Sequence, residues 1–150
     1  MALLVGVFAF WALGGFDSND TGPVRVAAPP ALPGADETCA KLLNALPPEL
    51  AGEKARPVTT APHRVVAWGD PAIVLRCGVN RPKALTPTAQ VLGIDGVEWV
   101  HGTEGDTVVW TTVSLPLNVE LRVPKDYTGK VAGDGLLVPL APALKANVTR

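Results

Sequence analysis

Leu117-Asn118-Val119-Glu120-Leu121-Arg122-Val123-Pro124 is the stretch on which the fold turns. Leu117, Val119, Leu121 and Val123 alternate with Asn118, Glu120 and Arg122, the period of a strand with one face buried and one wet. Pro124 has no amide to offer a ladder and ends it. A sheet wet on one side points to antiparallel pairing, since parallel sheets are covered on both faces by crossover helices. Just upstream, residues 97–102 and 107–113 flank Thr103-Glu104-Gly105-Asp106, a glycine-bearing segment suited to a hairpin turn. An antiparallel meander follows from these three strands.

Closer to the N-terminus, residues 65–68 are a short apolar stretch and Gly69-Asp70-Pro71 a turn. Residues 72–77 then alternate so that Ile73, Leu75 and Cys77 share one side. Asp36 is expected to cap a helix running to about Leu46, because Cys39, Leu42, Leu43 and Leu46 fall on one face, and Pro47 and Pro48 stop it. Residues 51–63, with Gly52, Pro57 and Pro62, read as loop. The tail carries Leu136, Leu137, Val138, Leu140 and Leu144 around Pro139 and Pro142. It is read either as a last strand and a short helix or as an apolar strap. Both cysteines sit on apolar faces, so a Cys39 to Cys77 bridge between helix and strand is expected. It would close a loop of about 39 residues, an effect of about 4 kcal/mol by the chain-entropy argument. The expected fold is α+β: a curved antiparallel sheet with one or two helices packed on one face, one disulfide, and an N-terminal transmembrane segment ahead of it.

That segment is residues 1–16, which hold no charge and include Leu3, Leu4, Val5, Val7, Phe8, Phe10, Trp11 and Leu13 before Asp17. Sixteen helical residues reach about 24 Å, a little short of the hydrocarbon core. The expectation is a signal anchor whose basic cytoplasmic end is missing because the start codon is placed too far downstream. Cleavage near Ala27, Ala28 or Ala31 is the alternative. Residues 17–35 are rich in proline, glycine and alanine and are read as a semi-extended linker able to lift the domain several nanometres. Residues 36–150 form the expected extracytoplasmic domain.

Charge excludes one class of partner. The chain has 13 basic and 14 acidic residues; setting aside Arg25, Asp17 and Asp20 leaves 12 of each from Asp36 onward. A neutral domain has no excess of cations for a phosphate backbone, so nucleic acid is not an expected partner.

Cys39, then Leu42-Leu43 and Leu46-Pro47, then Trp68-Gly69-Asp70-Pro71-Ala72-Ile73-Val74-Leu75-Arg76-Cys77-Gly78, resemble an actinobacterial family of membrane-anchored or secreted proteins classed only as a domain of unknown function. The match spans most of residues 36–145, and its W-G-D-P-x-I-x-L-R-C-G run is long and ordered. The resemblance implies envelope location and paired cysteines. It supplies no reaction.

The residues supply none either. The serines are Ser18 and Ser114, without a G-x-S-x-G elbow. His63 and His101 stand apart from one another and from any metal-ligand spacing, so no metal and no cofactor is expected. Asp70, Asp95, Asp106 and Asp126 lie in turn-like contexts, where aspartate caps backbone amides. A thiol nucleophile at Cys77, beside Arg76 with His63 or His101 as base, competes with the bridge, and outside the cytoplasm the bridge prevails. For Arg76 the readings are a salt bridge to Asp70 across the turn or an anionic ligand; for Trp68, a core plug or a sugar platform. Trp68, Asp70 and Arg76 are therefore the binding candidates. The expected function is a non-catalytic envelope module binding a protein or wall component, tethered through residues 1–16; the alternative is a small wall-directed hydrolase using carboxylates or an unpaired Cys77 thiol.

Overall fold

The computed structural model describes residues 22–129 and 133–148, so the apolar segment 1–16 lies outside the described residues. Among those described, no helix is long and apolar enough to cross a membrane. The order is α1 (Ala35–Ala45), β1 (Glu49–Leu50), β2 (Glu53–Arg56), β3 (Val65–Trp68), β4 (Ile73–Val79), β5 (Leu92–Ile94), β6 (Val97–Glu104), β7 (Thr107–Val113), β8 (Asn118–Pro124), α2 (Gly133–Leu137) and α3 (Ala141–Asn147), with 3₁₀ turns at Lys125–Tyr127 and Val138–Leu140.

The strands form one eight-stranded sheet, β1-β2-β3-β4-β8-β7-β6-β5, in which every pair is antiparallel. Two four-stranded meanders thus meet along β4 and β8, where Leu75 lies opposite Leu121 and Cys77 opposite Val119. The period-two pattern sets this seam: Leu75, Cys77, Val119 and Leu121 all turn to one face and all are fully buried. There they meet Cys39 and Leu42 of α1 and Leu137, Leu140 and Leu144 of the tail. Cys39 and Cys77 are bonded, with Cα atoms 5.7 Å apart. The fold is α+β with an antiparallel sheet and one disulfide, as the sequence implied. Thr112 closes the ladder where it loosens: its buried hydroxyl accepts the Val119 amide at 2.9 Å.

Several local expectations are corrected. Asp36 does not cap α1; Gly34 occupies the cap position at φ 76 with no side-chain bond. The Asp36 carboxylate instead sits in the first turn, 3.2 Å from His63 Nε2 and 3.7 Å from Arg64 Nε. Residues 51–63 are not all loop, because β1 and β2 make a hairpin about Ala51-Gly52, both at positive φ as a tight hairpin turn requires. β5 and β6 form another about Asp95-Gly96, at φ 50 and 83. Strands of two to four residues carry too little alternation to be read. The tail contains no strand; Pro139 and Pro142, each in the first turn of its helical piece, favour short helices.

The Pro-rich stretch packs more than its composition suggests. Val24 bridges to Val58, its amide donating to the Pro57 carbonyl at 2.8 Å. Val24 and Val26 cover Val65, Ala67 and Val74, a small second core on the face opposite the helices. Three arginines hold the backbone of this strap: Arg56 Nη2 donates to Gly22 O at 2.7 Å, Arg76 Nη1 to Ala27 O at 3.2 Å and Arg64 Nη1 to Pro30 O at 2.6 Å. A segment with few amides of its own is fixed by donors from the sheet.

Candidate functional site

The run from Trp68 to Gly78 is mostly framework. Trp68 is a core plug whose Nε1 donates to Pro47 O at 3.1 Å. Gly69, at φ 74, leaves room for Tyr127: a Cβ there would lie 2.6 Å from the tyrosine oxygen. That hydroxyl donates to Pro71 O at 2.6 Å, across a cis Asp70-Pro71 bond. Burial, with Glu53, Asp70 and Asp126 nearby, raises the Tyr127 pKa above its usual value. Gly78, at φ 81, makes room for Arg64, whose Nε and Nη2 donate to the Cys77 and Gly78 carbonyls at 3.2 and 2.9 Å.

Arg76 is the exception. It was expected to reach Asp70 or to await an anion; Asp70 instead lies 3.9 Å from Arg56, half exposed, and Arg76 turns away from the helices to Glu120. The two face each other across β4 and β8, Nε to Oε2 at 2.6 Å. Glu120 is only 8% exposed, and its other oxygen accepts from Arg122 Nη1 at 3.1 Å. Arg122 also donates to Glu104 on β6. The result is a row of alternating charge, Arg76–Glu120–Arg122–Glu104, across the wet face. The hydrogen bond and charge of Arg122 hold the Glu104 carboxyl below the usual carboxylate range. Burial opposes ionisation of Arg122, but Glu104 and Glu120 outweigh it and raise its pKa.

This row floors a cleft. A cavity of about 510 Å³ opens over Arg76, Glu120, Thr111 and Val109. One wall is the strap, at Ala28 and Pro30; the other is the loop after β4, carrying Asn80, Arg81, Pro82, Lys83 and Ala84. A second concavity of about 420 Å³ continues past Val26 and Ala27 over Arg76, Arg122 and Glu104. The loop seats closely on β6, where a Cβ on Gly102 would be 3.2 Å from Ala84 Cβ.

Of the candidates read from sequence, only Arg76 lines the cleft. Trp68 is fully buried among the helix-side core residues. His63 pairs with Asp36, and His101 stacks on Trp110 with centroids 4.8 Å apart. Ser114 donates to Glu98 at 2.6 Å. Cys77 is bonded to Cys39, so the unpaired-thiol reading is overturned. Glu104, Glu120 and Arg122 are not among the binding candidates read from sequence, although the polar half of the β8 alternation marks Glu120 and Arg122 as wet. Arg81 and Lys83 had none beyond following β4. No group of three metal-ligating side chains occurs among the described residues.

A family model described as "Protein of unknown function (DUF3515)" matches residues 1–150. No curated protein and no solved structure matches.

Proposed function

We propose that this chain, which belongs to the DUF3515 family of proteins of unknown function, is a membrane-tethered module of an actinobacterial cell envelope. In this reading residues 22–150 lie outside the cytoplasm, anchored by residues 1–16, and bind an envelope protein or wall component without transforming it. One observation carries it: among the described residues, both cysteines and both glutamates of the cleft are committed to the framework. Both sulfurs form a bridge buried between α1 and β4, the kind of cross-link that persists where the environment is oxidising. Both glutamates of the cleft are held by arginine, and Glu104 is thereby kept ionised rather than poised as an acid. A concave surface with fixed charges, an apolar strap wall and a basic loop wall remains, which suits recognition.

The test fuses alkaline phosphatase, active only when exported, to the C-terminus of the full chain. Membrane-associated phosphatase activity and cysteines that label only after reduction are expected. Cytoplasmic, inactive fusions with freely labelled cysteines would overturn the location; turnover of a wall fragment by the purified chain would overturn the non-catalytic reading.

A further inference from the structure

The cleft also says what kind of ligand it takes. Its floor is electrically closed: Arg76 and Arg122 are answered by Glu120 and Glu104, three of these contacts lying within 3.1 Å. Its rim is not. Arg81 and Lys83, both exposed on the loop wall, form no ion pair within 4 Å among the described residues, although the Lys83 charge also helps hold down the Glu104 pKa. Four cations, Arg76, Arg81, Lys83 and Arg122, against two carboxylates, Glu104 and Glu120, leave the cleft positive in a chain whose net charge is -1. Two cations on one short loop, with Pro82 between them fixing the local backbone and Asn80 beside them, stand above a floor whose hydroxyl groups come from Thr111 and Thr103. Ala28, Pro30, Ala84 and Val109 give the remaining surface an apolar character suited to the body of a small ligand.

The geometry points to an oxyanion-bearing ligand, a carboxylate or phosphate on a compact body of sugar or dipeptide size, held by Arg81 and Lys83 at the rim and seated over Thr111 and Val109 between loop and strap. A guanidinium and an ammonium on one oxyanion form charge-assisted bonds, stronger than neutral ones, and because Arg76 and Arg122 are already engaged by Glu120 and Glu104, charge recognition falls to Arg81 and Lys83. The size follows from the cavity, about 510 Å³, within the range of small-molecule sites. This deepens the binding-module reading and rests on it for biological meaning, though not for its test.

The full chain in detergent micelles is titrated, with amide shifts followed by two-dimensional NMR. The probes are two matched pairs: N-acetylalanine against N-acetylalaninamide, and N-acetylglucosamine 1-phosphate against N-acetylglucosamine; inorganic phosphate is run alone. The charged member of at least one pair is expected to shift amides in 80–84, 102–104 and 109–111, and to bind at least tenfold more tightly than its neutral partner. The R81A/K83A double variant should weaken it a further tenfold, with Lys41→Ala, on the helix side, unchanged. Preference for the acetylalanine pair marks a peptide-terminus source, and preference for the sugar phosphate a glycan or headgroup source. Equal binding of charged and neutral members, shifts confined elsewhere, indifference to R81A/K83A, or no binding of any charged probe would overturn the inference. A failed export assay leaves these titrations standing, so the two proposals fail separately.

Discussion

Replacing Gly78 by alanine tests whether Arg64 is the knot that ties strap, sheet and disulfide together. Gly78 follows Cys77 at φ 81, a left-handed conformation costing an alanine about 1–2 kcal/mol. The larger effect is a collision, because the new Cβ would stand 2.3 Å from Arg64 Nη2. The Arg64 side chain is only 6% exposed and spends three donors on the carbonyls of Cys77, Gly78 and Pro30. It cannot swing aside without losing at least one bond from a charged donor, worth about 1.5–3 kcal/mol. The expected loss is about 3–5 kcal/mol, or a fall of about 10–20 °C in midpoint for a domain of this size. Gly52→Ala is the control, since Gly52 has φ 80 but nothing within 4 Å of an added Cβ; it should lose only the backbone part, about 5 °C. Thermal unfolding of the oxidised full chain, followed by circular dichroism, compares them. Equal losses would refute the Arg64 argument. So would strict additivity of G78A with R64A, because two groups that collide should show a coupling of at least about 1 kcal/mol.

Reducing the Cys39–Cys77 bridge, or replacing both cysteines by alanine, should lower unfolding stability by about 4 kcal/mol, read from urea midpoints; a loss under about 1 kcal/mol would show that the closed loop is already restrained in the unfolded chain. Glu120→Ala leaves two arginines facing each other across a nearly buried site and should cost about 3 kcal/mol or more, against under about 1 kcal/mol for Glu104→Ala, whose side chain is 65% exposed. Because the Glu104 pKa is lowered on folding, its contribution is present above the unfolded carboxylate value and lost as pH falls through the folded one, so Glu104→Gln should flatten the acid limb of a stability profile. The raised Tyr127 pKa has the opposite sense: its contribution is complete below the unfolded tyrosine value and lost as pH rises through the folded one, so Tyr127→Phe should flatten the alkaline limb while giving up the bond to Pro71.

What could be read from the sequence was what alternates or repeats over several residues. The β8 run and the β6–β7 hairpin expose their period directly, and α1 shows its apolar face at helical spacing. The disulfide followed from them, because each cysteine sat on a face already assigned to the core. The edge hairpins escaped because β1, β2 and β5 are two to four residues long and owe their existence to positive-φ turns such as Asp95-Gly96. The cleft escaped for a different reason. A single sequence tells which strand residues are wet but not which strands are neighbours, and Arg76 meets Glu120 only because β8 returns to lie beside β4 across 44 residues. The strap was hidden in the same way, since its partners Arg56, Arg64 and Arg76 lie on or beside β2, β3 and β4.

The strap also changes the geometry of the proposed tether. A linker running to residue 35 would let the domain range several nanometres from the bilayer, but the chain is already pinned at Gly22 by Arg56 and at Val24 by Pro57. Between the end of the apolar segment at Phe16 and Gly22 there are six Cα-to-Cα steps, at most about 20 Å when fully extended. An anchored domain is therefore held close to the lipid surface, its strap side nearer the point of attachment than its helix side. A photo-crosslinking residue at Thr59, exposed beside the Val24 carbonyl, should then label lipid headgroups of the full chain in bilayers more strongly than one at Lys41 on α1. Equal labelling would mean that the contacts at Gly22 and Val24 do not hold in the tethered protein. Adding twenty flexible residues between Ser18 and Asn19 should abolish the difference without changing thermal stability, because the added chain lies before the first pinned carbonyl.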